Sequence, residues 1–169
     1  MPEKFRRYFL KAKDAKALLE KASEKLKINL EQIFKAKANV ELIQTEFAEI
    51  YLINGKPSLV KIGEDIFPTL VFNEFSASSP KVFIDMGAVP YVCNGANIMA
   101  PGIVRFEGKF REGDFVLVVD EKHGKPIAIG EIIHDMDAAK KATHGIVVRN
   151  VHFVGDKIWN FIKQLEAKA

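Results

Sequence analysis

Cysteine, tryptophan and long apolar runs are nearly absent from this chain of 169 residues. The one cysteine, Cys93, excludes an intramolecular disulfide and leaves no thiolate cluster for structural zinc. No run approaches membrane-spanning length. The opening Lys4 to Lys11 carries too few apolar residues between its charges to be the core of a signal peptide. No phosphate-binding Walker loop, Rossmann fingerprint or His-Glu-x-x-His pattern occurs, and no internal repeat stands out. These absences set aside disulfide scaffolds, membrane spans and the common cofactor enzymes. They lead to the expectation of a cytoplasmic protein with neither cofactor nor metal.

The chain is 48% hydrophobic and 28% charged, the balance of an ordinary globular protein. Its net charge of +3 is unevenly spread. Residues 1–40 carry eleven basic against five acidic side chains, an excess of six; the remainder carries fourteen against seventeen, a deficit of three. A basic front of this kind favours phosphate backbones.

Phe5 to Leu10 predicts an opening strand. From Asp14, placed to cap it, Ala15, Leu18, Leu19, Ala22 and Leu26 recur at helical spacing, and Leu30, Ile33 and Phe34 predict a short second helix. Strands follow at Val40 to Gln44, Ile50 to Ile53 and Ser58 to Ile62, the last two joined by Asn54-Gly55, a strong hairpin signal. The sum is an α+β N-terminal domain, basic, over residues 1–75. Ser76 to Pro80, small and polar with a terminal proline, reads as an extended linker over 76–80.

Beyond it, Val82 to Ile84 predicts a strand, Gly87 to Asn94 a short helix with Pro90 in its first turn, and Gly95 its left-handed stop. Strands at Ile98 to Phe106, Phe115 to Asp120, Ile127 to Ile133 and Gly145 to Val154, with frequent turns, predict a small β-barrel. A helical turn or two at Asp137 to Ala142 is capped by Asp135 or Asp137. An amphipathic C-terminal tail over 156–169 carries Ile158, Phe161, Ile162 and Leu165.

Little in this pattern carries reaction chemistry. Cys93 shares a helical face with Val89 and Val92 and is read as packing rather than as a nucleophile paired with a histidine. His134-Asp135-Met136-Asp137 looks like metal ligands but is more simply explained by helix capping. The segment Pro80 to Gly155 holds nine basic and nine acidic residues, so bulk charge cannot draw RNA to it. Backbone near Gly87, Gly95 and Gly102 is left to approach phosphates or sugars, with Arg105, Lys109 and Arg149 as charge partners.

Asp85-Met86-Gly87-Ala88-Val89, then Gly95-Ala96-Asn97-Ile98-Met99-Ala100-Pro101-Gly102, resembles the core of the PUA domain, a small RNA-binding barrel. That resemblance places the PUA-like RNA-binding domain at 81–155. It implies RNA-binding residues at Gly87, Ala88, Asn94, Gly95, Ala96, Asn97, Pro101, Gly102, Arg105, Lys109 and Arg149. The fold expected for the chain is therefore an α+β N-terminal domain followed by a PUA-like small β-barrel with short helices.

The Gly95 to Gly102 segment, with Phe67-Pro68-Thr69-Leu70 and Asn150 to Trp159, is similar to the malignant T-cell amplified sequence family and its archaeal stand-alone relatives. The resemblance implies a noncatalytic, translation-associated factor acting with tRNA or rRNA and the small ribosomal subunit, with a separate translation-factor partner. Two alternatives stay open: an RNA-targeting accessory subunit of an RNA-modification enzyme, and a protein-interaction module.

Overall fold

The computed structural model describes residues 5–34 and 38–168, and the chain divides after Phe75 into two compact units. In the first, β1 (Arg6–Phe9) is followed by α1 (Ala12–Leu26), α2 (Leu30–Phe34), β2 (Val40–Gln44), β3 (Glu49–Ile53), β4 (Lys56–Ile62) and β5 (Asp65–Pro68). The five strands pair antiparallel in chain order. Asn54 and Gly55 both take positive φ, 51° and 84°, as a two-residue hairpin turn requires.

Helix α1 begins two residues earlier than its apolar spacing suggested. Lys11 precedes it and gives no side-chain cap, while Asp14 sits inside the first turn, where its carboxylate faces the positive end of the helix dipole. The buried stripe Ala15, Leu19, Ala22 and Leu26 is as the periodicity predicts. Ser23 ties the helix pair together, its hydroxyl donating to Leu19 O and accepting from Leu30 N. Phe34 stacks on Phe72 with ring centroids 6.2 Å apart.

Ser76 to Ser78, expected to be extended, instead complete α3 (Asn73–Ser78). Short polar residues before a proline are as compatible with the last turn of a helix as with a link, since only the residue next to proline is pushed out of helical geometry.

The second unit runs β6 (Lys81–Ile84), α4 (Val89–Val92), β7 (Ile98–Met99), β8 (Ile103–Glu107), β9 (Phe115–Asp120), β10 (Pro126–Ile132), α5 (Met136–Lys141), β11 (Ile146–Phe153) and α6 (Lys157–Ala167). Its sheet order is β7-β11-β10-β9-β6-β8. The two outermost strands, β7 and β8, are joined by only Ala100–Gly102, a single 3-10 turn. Strands at opposite margins of a six-stranded sheet can be three residues apart only if the sheet curls on itself, which is the small barrel the turns predicted. Pro101 explains why the strand expected from Ile98 to Phe106 is broken there: it fixes φ and has no amide to donate.

Inside lie Val82, Ile84, Val92, Ile98, Val116, Val118, Ile132 and Val148, all buried. Gly130 allows the curl. A Cβ there would stand 2.2 Å from Val148 Cγ1, beside the register shift at Ile129/Gly130. At the end of the chain Asp156 caps α6, accepting from Trp159 N at 2.7 Å, and also accepts from Phe153 N.

Candidate nucleic-acid interface

The predicted site residues from Gly87 to Gly102 lie on one stretch of chain folded into two features. The first is the meeting of two turns. Asp85 accepts from Ala88 N through both its carbonyl and Oδ1, and donates its own amide to Gly102 O at 2.9 Å. This holds Gly87 and Ala88 against Pro101 and Gly102. A Cβ at Gly102 would come within 3.1 Å of Ala88 Cβ, so the glycine serves a close approach and not left-handed geometry.

The second feature is the loop from Asn94 to Asn97, which leaves α4 through Gly95 at φ 98°. Asn150 on β11 fastens it. Its Nδ2 donates to Val92 O and Ala96 O at 3.0 and 2.9 Å, and its backbone amide donates to Asn97 Oδ1. The amides of Gly95 and Ala96 are themselves used, donating to Val92 O and Tyr91 O. The loop thus presents exposed, fixed backbone at Asn94, Gly95 and Ala96, with the Gly95 amide turned inward instead of toward a ligand. Sequence reasoning did not single out Asn150; an asparagine in a run of β-branched residues was the signal available.

The charge partners separate. On β8 the Arg105 guanidinium lies 3.5 Å from the Phe83 ring centroid and pairs with Glu107 at 2.8 Å. On β11, Arg149 pairs with Glu131 at 3.1 Å. Lys109 is exposed on the turn after β8. A cleft of about 160 Å³ opens beside the 3-10 turn, lined by Ala100, Val104, Arg105, Phe106, Ala139 and Lys140 among others. It brings Arg105 together with Lys140, a lysine of α5 that the sequence reading passed over. Asn94 to Asn97, Lys109 and Arg149 are not part of its lining. A small cleft with an arginine and a lysine in its lining suits a phosphate with part of its sugar, and the volume falls below that of pockets that enclose a whole small ligand.

Other candidates resolve into structural roles. Cys93 is half-buried against the barrel core, and burial pushes its thiol up, away from the thiolate a nucleophile needs. Asp135 caps α5 by accepting from Ala138 N, and the His134 ring meets Ile146 O. His152 is fully buried with Nδ1 2.7 Å from Asp156 Oδ2. Burial pushes the Asp156 carboxyl up, but the hydrogen bond and charge of His152, with the amides of Trp159 and Phe153, pull it below its ordinary value. Among the described residues no group of three or more His, Cys, Asp or Glu side chains is placed to hold a metal ion, and no helix is long and apolar enough to cross a membrane.

A curled six-stranded barrel whose margins meet at an Ala-Pro-Gly turn, with a one-turn helix and glycine stop before it, defines a PUA domain, and the PUA domain family matches residues 80–154. Residues 6–72 match a second family, described as Domain of unknown function (DUF1947). An uncharacterized protein of Methanocaldococcus jannaschii is 40% identical over 92% of this chain and 96% of its own length. Translation machinery-associated protein 20 of Saccharomyces cerevisiae is 28% identical over 86% of this chain and 85% of its own. Malignant T-cell-amplified sequence 1 of Danio rerio is 31% identical over 78% and 76%. Among solved structures, a PUA domain from Aeropyrum pernix K1, crystallised as a tartrate complex, superposes with a TM-score of 0.82 at 28% identity, over 95% of this chain and 92% of that one. The chain belongs to the family of translation machinery-associated and malignant T-cell-amplified sequence proteins, together with their archaeal relatives.

Proposed function

We propose that the protein is a noncatalytic, cytoplasmic RNA-binding factor of translation that engages tRNA at the small ribosomal subunit, alongside a separate translation factor. The observation that carries the reading is the cleft beside the Ala100–Gly102 turn, whose lining includes both Arg105 and Lys140. The translation-associated names of the relatives support it. Phosphate contacts fix register, and the Asn94 to Asn97 loop, with Gly87, Ala88, Pro101 and Gly102, supplies the shape that meets an unstacked strand. Lys109 and Arg149 add charge at the margin. Because the barrel's charges balance, its preference rests on fit and not on attraction.

Competition titrations of the whole protein against tRNA and an RNA duplex of equal charge test this. Arg105→Ala with Lys140→Ala is expected to weaken tRNA binding about tenfold, the order expected for two phosphate-contacting cations, with a smaller effect on the duplex. Small-subunit cosedimentation is expected to fall in parallel. Equal competition by duplex and tRNA in the unaltered protein would overturn the reading.

A further inference from the structure

The sheet of the N-terminal unit ends in an edge dressed with aromatic rings and cations. Strand β1 pairs only with β2 among the described strands, and all four of its residues are exposed. Phe9 is 65% exposed, Tyr8 46%, and the adjoining Phe5 41%. Tyr8 and Phe9 are thus adjacent large rings exposed on the two faces of one edge strand, more apolar surface than scattered single residues leave. From Phe5 to Lys13 the chain carries Arg6, Arg7, Lys11 and Lys13 and no acidic residue. Arg7 is committed to a carboxylate, its Nε and Nη2 donating to Glu41. No ion pair engages Arg6, Lys11 or Lys13 among the described residues, so these cations face solvent. Successive side chains of a strand alternate, so Tyr8 and Arg6 share one face while Phe9 and Arg7 share the other.

We propose that this edge is a binding site for single-stranded RNA whose backbone crosses it, with one unpaired base stacked on Tyr8 on one face, another on Phe9 on the other, and the intervening phosphates beside Arg6 and Lys11. Every base has a π-face, so the site takes strands with little regard to sequence, and the rings interleaved with cations match what such binding needs. A protein strand is the competing occupant. The edge disfavours it, because β1 is only four residues long and carries adjacent arginines, and short charged edges discourage strand addition. The site lies outside the barrel cleft, and neither assignment depends on the other.

The test uses the whole protein with a short fluorescent oligouridylate and an RNA duplex of equal charge. Tyr8→Ala combined with Phe9→Ala removes two exposed rings and no charge. It is expected to weaken oligouridylate binding at least about tenfold, with duplex affinity and the salt slope unchanged. An unchanged thermal midpoint confirms that the fold is kept. Phe9→Trp is expected to retain affinity and to show indole fluorescence quenched by the oligonucleotide. The Arg105→Ala/Lys140→Ala protein is expected to keep that oligouridylate affinity while losing its preference for tRNA, so failure of one site is told from failure of the other. Undiminished oligouridylate binding by the folded double variant, or equal loss for the duplex, would overturn the proposal. So would a change in oligomeric state with RNA affinity intact, which would assign the edge to a protein contact.

Discussion

The two units of this chain differ in net charge and in how several of their cations are held. In the N-terminal unit Lys16 and Lys25 are exposed and unpaired among the described residues, and Lys21 reaches only a fully solvated Glu64 at 3.8 Å. In the barrel, Arg105 and Arg149 each hold a carboxylate within about 3 Å, and the segment's charges cancel. Free cations attract any polyanion over a Debye length, whereas paired ones act only when a ligand arrives in the right place to displace or share the acid. On the proposed function, the lysines of the first unit are expected to set how strongly RNA is drawn and how salt weakens it, and the barrel to favour tRNA over a duplex.

Breaking the barrel's geometry should have the largest effect. Gly130→Ala places a methyl group 2.2 Å from Val148 Cγ1, with the Arg149 carbonyl close behind at 3.2 Å, and backbone on one side cannot yield. A destabilisation of about 3 kcal/mol is expected, at the upper end for overpacking. Thermal unfolding would read it. The salt slope of the folded fraction should stay as it was, because no cation is moved. A barrel that tolerates the methyl group would show that its curvature does not depend on this approach.

Asn150→Ala acts on the loop alone. It removes two side-chain hydrogen bonds, leaving Val92 O with the Gly95 amide alone and Ala96 O to find water, a loss of about 2 kcal/mol. The Asn94 to Asn97 loop would loosen, so the ratio of tRNA to duplex affinity should fall while duplex affinity holds. If both fell equally, the loop would contribute attraction and the division between the units would fail.

Neutralising Lys16, Lys21 and Lys25 to Gln probes the other half. Three fewer cations should weaken every RNA about tenfold at low salt and flatten the logarithmic salt dependence by roughly two, with the tRNA-to-duplex ratio unchanged. A changed ratio with an unchanged slope would reverse the assignment of roles.

Asp156 offers a smaller effect with a defined sign. Its native carboxyl lies below the ordinary range, so it releases its proton more readily in the folded than in the unfolded state. The stability it adds is complete above the unfolded aspartate value of about 3.9 and is lost as pH falls from there through the lower native value. Asp156→Asn keeps an acceptor at the helix cap but not the charge beside His152, and should cost about 1 kcal/mol near neutrality. Urea midpoints measured from pH 6 downward should then decline less steeply for the variant. Parallel curves would mean that His152 and the two amides do not favour the ionised carboxylate.

What the sequence disclosed follows from how local each signal is. The α1 stripe, the Asn54-Gly55 hairpin, the Asp135 cap and the Gly95 stop depend on neighbours within a few residues, and all stand where the pattern put them. The start of α1 did not: alanine and lysine before Asp14 give no cap signal, and the helix extends to Ala12 without one. Gly102 was legible as a place of close backbone approach, but what it approaches within the fold is Ala88, fourteen positions earlier. Gly130, Asn150 and Lys140 were illegible because each matters through something brought near by barrel closure: Val148, the loop after α4, and the cleft whose lining Lys140 shares with Arg105. Sequence could rank residue types there and could not supply the contact.

The smallest effect expected belongs to Cys93. It follows the last turn of α4, one residue before Asn94 and two before Gly95, so a chemical role would place a thiol at the loop proposed to meet RNA. Its packing argues otherwise. The side chain rests half-buried against the barrel core, and burial holds its thiol above the ordinary value, so at neutral pH little thiolate is present to react. Cys93→Ala exchanges a small apolar group for a smaller one at the margin of that core. Stability should fall by less than about 1 kcal/mol, and RNA affinity, the tRNA-to-duplex ratio and the salt slope should all remain. The measurement is the same competition titration, run beside a thermal midpoint. Lost discrimination at an unchanged midpoint would place the thiol in contact with RNA, and the barrel would then select its ligand by a side chain as well as by the shape of its backbone.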